Sequence, residues 1–98
     1  MYSYWVYMIL CSDNTYYTGV TNEVDNRFYQ HCAGLNKKAY TYSRRPLTLV
    51  YRQGFVQVHD AINFEKKIKK WSRAKKEALI NGNYHLLPKL AKKKFKKK

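Results

Sequence analysis

Apolar and polar positions divide the chain into short blocks whose period changes along its length. Tyr4-Trp5-Val6-Tyr7-Met8-Ile9-Leu10 is a run of aromatic and branched residues, and Tyr16-Tyr17-Thr18-Gly19-Val20-Thr21 is a second, with Ser12-Asp13-Asn14 between them. Two such runs separated by turn formers predict a β-hairpin. If a three-residue loop pairs Cys11 with Thr15, Tyr7 stands opposite Gly19, and Tyr17 falls on the face of Tyr7 one diagonal away. A one-residue change in that loop would separate the phenols.

The spacing then shifts to threes and fours at Val24, Arg27, Phe28, His31 and Leu35, which predicts a helix. Asn22 is its expected cap, Glu23 and Asp25 suit its first turn, and the helix is expected to run to about Cys32 and stop at Gly34. Arg27 and His31 would share the stripe facing the sheet. Residues 36–46 lack periodicity and read as a basic, aromatic loop. Leu47-Thr48-Leu49-Val50-Tyr51 predicts a third strand opened by Pro46, with Gly54 marking its end or a bulge. From Asp60, the expected cap, one long helix is predicted through Ala61, Ile62, Glu65, Ile68, Trp71, Ser72, Ala78 and Leu79, ended by Asn81-Gly82-Asn83. Residues 1–83 thus form the expected domain, followed over residues 84–98 by a short helix and a lysine tail with almost nothing to bury.

Composition narrows the partners. At 98 residues the chain can bury one modest core. A formal charge of +14 exceeds what solubility needs and suggests a polyanion, and the 16% aromatic content favours nucleic acid, whose bases stack on rings, over a membrane surface. The run at residues 5–10 is too short to span a bilayer and no basic stretch precedes it. Cys11 and Cys32 form no disulfide or zinc pattern, so reduced thiols and a cytoplasmic location are expected.

Hydrolysis of a phosphodiester needs a deprotonated water, positive charge near the pentavalent phosphorus and usually a metal on oxygen ligands. Arg27 offers a permanently charged fork for a phosphate oxygen, although a surface arginine paired with Glu23 or Asp25 is the commoner case. Glu65 sits between Ile62 and Ile68 at the border of the apolar stripe; one carboxylate plus waters and a substrate oxygen suffices for magnesium, while a plain ion pair with Lys66 or Lys69 competes evenly. Tyr7 and Tyr17 are weak bases unless positive charge lies near, and most strand tyrosines only pack. His31 could shuttle a proton or orient water, or simply be structural. Lys37, Lys38, Arg44, Arg45 and the tail lysines read as phosphate contacts giving affinity without base specificity.

Val6-Tyr7, Tyr17-Thr18-Gly19, Arg27-x-x-x-His31 and Glu65, with Arg44-Arg45-Pro46 and residues 68–76 around them, resemble the GIY-YIG nuclease superfamily, its small single-domain bacterial members above all. The resemblance covers roughly residues 4–80. It implies an α+β fold, a small three-stranded antiparallel sheet flanked by helices, with the site on one sheet face. It implies paired signature tyrosines at Tyr7 and Tyr17, a phosphate-stabilising Arg27, a supporting His31 and one divalent metal, Mg2+ or Mn2+, on Glu65. It also implies an auxiliary phenol at Tyr40. Trp5 stands where the family has its first glycine, and either narrows the cleft or points away from it; Thr18 replaces the isoleucine of the second triplet. The expected activity is metal-dependent, structure-directed cutting of DNA, in repair or recombination. A non-catalytic nucleic-acid-binding module of the same fold, or a basic component of a ribonucleoprotein, are the competing readings.

Overall fold

The computed structural model describes residues 1–87; the lysine tail and the last three residues of the helix expected over residues 84–90 lie outside them. Three strands, β1 (Tyr4–Leu10), β2 (Tyr16–Thr21) and β3 (Thr48–Phe55), form an antiparallel sheet in the order β2-β1-β3. Helix α1 (Val24–Ala33) follows the hairpin, and α2 (Val58–Lys69) and α3 (Arg73–Ile80) follow β3. Short 3-10 turns occupy Tyr42–Arg44 and Tyr84–Leu86.

The central place of β1 explains why its sequence is apolar throughout rather than alternating: both of its faces are covered. Val6 and Met8 join Ala61, Ile68 and Leu79 in one core beneath α2 and α3. Tyr7 and Ile9 join Cys11 and Val24 in a second core beneath α1. The hairpin has the expected loop, with the Cys11 N–H donating to the Thr15 carbonyl at 2.8 Å and Tyr7 paired with Gly19. Asp13 fixes the turn by accepting from the Thr15 hydroxyl at 2.6 Å.

Four local expectations are corrected. Helix α1 is capped at Glu23, not Asn22, because β2 runs on to Thr21 and the Thr21 hydroxyl takes up the Glu23 N–H at 3.1 Å. Its other end is as expected: Gly34 adopts the left-handed conformation at φ 66° that a C-terminal cap favours. The bulge in β3 falls at Val50, since Met8 pairs with Tyr51 and Ile9 with Leu49. Gly54 instead lies inside the strand, where the Tyr2 ring covers the position a Cβ would take.

The long helix is two helices. Helix α2 starts at Val58 with Gln57 as its cap, which leaves Asp60 in the first turn. Ser72 is extended at ψ 161° and its hydroxyl accepts the Lys75 N–H at 3.2 Å, so it opens α3 instead of continuing α2. A serine hydroxyl that competes for a backbone donor is the physical reason for the break. The corner turns Trp71 and Leu79 onto the same core, and Leu87 packs there as well.

Thr18 faces that core with a hydroxyl that is buried and lacks a hydrogen-bond partner among the described residues. Replacing it with the near-isosteric valine removes a desolvated polar group, so Thr18→Val should stabilise the fold by about 1 kcal/mol in denaturant unfolding. A destabilised variant would show that the hydroxyl has a partner in solution.

Candidate nuclease site

On the α1 side of the sheet, three rings gather over the hairpin. The centroids of Tyr7 and Tyr17 are 6.2 Å apart, and His31 lies 6.1 Å from Tyr7 and 5.2 Å from Tyr17. Hairpin register supplies the tyrosines, and the helical step from Val24 supplies the histidine. Gly19 makes the approach feasible: a Cβ there would lie 2.6 Å from the Tyr7 hydroxyl oxygen. The Tyr7 hydroxyl and His31 Nε2 are 3.2 Å apart, and His31 Nδ1 is 2.7 Å from the hydroxyl of Thr41. Thr41 is fully buried. Sequence reasoning missed it, because a threonine in an aperiodic loop carries no spacing signal.

The two phenols differ in access. Tyr7 is 1% exposed, whereas Tyr17 is half-buried and stacks on Tyr40 with centroids 6.0 Å apart and 24° between planes. Burial holds the Tyr7 phenol far above its ordinary range; Tyr17 raises it further, Arg27 opposes the rise and Glu65 adds slightly to it. Burial and then the Arg27 charge push His31 below its ordinary value, so the ring is neutral at pH 7. Burial likewise raises Tyr51, on β3, to about 12. Both tyrosines therefore keep their protons in the folded chain at a pH where the unfolded chain releases them. The folded state then binds more protons, and stability should fall as pH rises above about 10, the unfolded phenol value. Urea titrations between neutral pH and about pH 11 measure this slope; a flat profile would show that neither phenol is desolvated as described.

Arg27 is exposed, contrary to the expected inward face. At about 100° per residue it lies roughly 60° around the helix from Val24, against roughly 20° for His31, which places it on the rim of the buried stripe. It forms no ion pair among the described residues, although its charge reaches both Tyr7 and His31. Its anticipated partner Asp25 instead meets Arg52 at 3.5 Å. Leu35, also expected on the stripe, is 66% exposed because the chain leaves the helix at Gly34.

Glu65 combines both of its readings. Its side chain is only 13% exposed, and Oε2 pairs with the exposed Lys69 at 3.3 Å. Its charge is felt at Tyr7 and adds slightly to the rise of that phenol. No cluster of three or more His, Cys, Asp or Glu residues suited to a metal occurs among the described residues. A single carboxylate, with waters and substrate oxygens completing the shell, matches what Mg2+ accepts from a protein.

The basic loop divides in two. Lys37 and Lys38 are exposed and unpaired among the described residues. Arg44 pairs with Asp13 at 3.0 Å and lies 3.8 Å over the Tyr40 ring, and the Tyr40 hydroxyl donates to Thr15 at 3.1 Å. Arg45 donates to the Tyr42 carbonyl at 2.9 Å and sits 4.6 Å over its ring. These two arginines pin the loop against the hairpin and α1. Trp5 points to the face of Tyr7, its ring centroid 5.6 Å from that of Tyr2 in a T-shaped pair and 5.6 Å from the Arg52 guanidinium carbon.

A comparison with protein families matches residues 3–78 to the GIY-YIG catalytic domain. The chain belongs to the GIY-YIG family. Its relatives include a UPF0213 protein of Halobacterium salinarum, 49% identical over 76% of this chain and 96% of the relative. Another, from Staphylococcus haemolyticus, is 41% identical over 82% of this chain and 96% of the relative. Among solved structures, the solution NMR structure of a UPF0213 protein from Bacillus halodurans is 39% identical and matches with a TM-score of 0.53, covering 80% of this chain and 82% of that one. The solution NMR structure of a protein from E. faecalis, 30% identical, matches with a TM-score of 0.60 over 88% of this chain and 90% of the other. The GIY-YIG domain points to nuclease activity on nucleic acid and to the use of a divalent metal. No helix among the described residues is long and apolar enough to cross a membrane.

Proposed function

We propose that this protein is a metal-dependent endonuclease that hydrolyses phosphodiester bonds in DNA, directed by structure rather than base sequence and serving repair or recombination. The observation that carries the reading is the convergence of Tyr7, Tyr17 and His31 on one sheet face, with Arg27 exposed beside them and without an ion pair among the described residues. Tyr17, being half-buried, is the phenol that meets the attacking water; having given its own proton to solvent, it takes one from that water as the new P–O bond forms, and the P–O bond to the leaving strand breaks with solvent water protonating the departing oxygen. Tyr7 is support: it donates its hydrogen bond to neutral His31, whose Nδ1–H donates in turn to Thr41, and this chain holds the wall of the site. Arg27 stabilises the charge that grows on the phosphoryl oxygens.

Glu65 would hold the metal ion, Mg2+ or Mn2+, which when bound supplies Lewis-acid stabilisation and favours deprotonation nearby. Lys37 and Lys38 contact phosphates beyond the scissile one, while Tyr40, Arg44 and Arg45 shape that surface and add to its field. Free thiols at Cys11 and Cys32 fit work in the reducing cytoplasm. The test is incubation of the purified protein with nicked, flapped, branched and single-stranded DNA and with RNA, plus Mg2+ or Mn2+, beside Arg27→Ala. Cutting of DNA by the wild type alone supports the proposal. No cutting of any substrate above the variant refutes it and leaves a binding module, whose steep salt dependence would ignore metal.

A further inference from the structure

Beside the candidate site, where α1 gives way to the basic loop, lies a cavity of about 240 Å³ that the chemistry above does not use. Arg27 and His31 form one wall, so the cavity opens next to the place assigned to the scissile phosphate. Leu35, 66% exposed, and Tyr42 give it apolar surface. Gln30 and Asn36 give it amides. The Gln30 carboxamide makes no hydrogen bond among the described residues; Asn36 uses its oxygen on the Lys38 N–H at 3.0 Å and keeps its NH2 donors.

An apolar slot with unspent donors and an acceptor at its edge, flanked by an arginine, has the chemistry that receives a nucleobase. Its volume is below the roughly 300–1,000 Å³ of clefts that take drug-sized ligands, so it admits one planar ring system and excludes a base pair. We propose that this cavity binds the base of a single unpaired nucleotide adjoining the scissile phosphate, so that the preferred substrate carries an unstacked nucleotide at the cut. The proposal rests on the nuclease reading for the word scissile and on the cavity alone for the base. A paired, stacked base presents only its groove edges, whereas an unpaired one offers both its faces and its Watson–Crick edge.

Two measurements on the full chain separate the claims. In the first, 15N-labelled protein is titrated with 5′-mononucleotides and, in parallel, with ribose 5-phosphate. Shifts at the Gln30 and Asn36 side-chain amides and at the backbone of Ala39, which also lines the cavity, with the nucleotides alone support a base site. Equal shifts with ribose 5-phosphate, or none with either, overturn it. In the second, cutting rates are compared on a flapped strand with an intact or an abasic nucleotide beside the cut. The wild type should prefer the intact nucleotide about tenfold, the scale of one stacked base, and Gln30→Ala and Ala39→Phe should each bring that ratio near one. Cutting without discrimination in the wild type overturns the base site and leaves the nuclease reading standing. Nucleotide binding without cutting of any substrate upholds the base site and refutes the nuclease.

Discussion

Glu65→Gln should reduce cutting by at least about 10³-fold while leaving the protein folded at nearly its original stability. The side chain keeps its size and loses only its charge, so whatever the carboxylate supplies to a divalent ion is removed outright. What the fold loses is small, because the Lys69 partner is exposed and an i,i+4 pair on a helix is worth about 0.2–0.5 kcal/mol. Arg27→Ala should behave alike, with cutting down about 10²–10³-fold and stability unchanged, since the guanidinium has no ion pair among the described residues to lose. Initial rates at saturating Mg2+ and thermal unfolding of the same preparations measure both effects. A Glu65→Gln protein that cuts at the wild-type rate would reduce Glu65 to the acid of a helical ion pair.

Tyr7 should separate scaffold from chemistry. Tyr7→Ala empties a fully buried position in the core beneath α1, for which a loss of about 3–5 kcal/mol is expected, a large share of a small domain's stability. Tyr7→Phe keeps the ring against Ile9 and Val24 and deletes only the hydroxyl bonded to His31, so it should cost about 1 kcal/mol and lower cutting only about tenfold. Tyr17→Phe should do the reverse, barely moving stability and lowering cutting about 10²–10⁴-fold, the range of a general base. Denaturant unfolding and rate measurements on the three variants are decisive together. If Tyr7→Phe proved the more damaging to catalysis, the phenol meeting water would be the buried one, and the site would have to open to reach it.

The readable parts of this chain are those governed by local rules. Runs of β-formers around Ser12-Asp13-Asn14 specified the hairpin and its register, since loop length and strand period leave one pairing that buries both runs. The step of three and four from Val24, closed by Gly34, specified α1. What failed were choices between near-equal local options. Ser72 reads as an ordinary residue in a lysine-rich helix until the core beyond it requires Trp71 and Leu79 on the same side. Asn22 is the better capping residue by type, but the pairing of Thr21 in β2 fixes where the helix can begin. Arg27 was assigned to the right helix and to the wrong degree of burial, because a residue roughly 60° off a stripe faces either way by pattern alone.

By itself the sequence determined the hairpin, a third strand and α1, the pairing of Tyr7 with Gly19, the clustering of Arg27 and His31 one turn apart, and a charge of +14 suited to a polyanion. Only the tertiary structure decided which phenol is buried, that Thr41 orients His31, that Arg44 and Arg45 hold the loop, and that a cavity opens beside Arg27. The physical reason is range. Periodicity and turn chemistry act over a few residues, whereas burial, ring neutrality and the cavity arise where separate segments, the hairpin, α1 and the basic loop, meet.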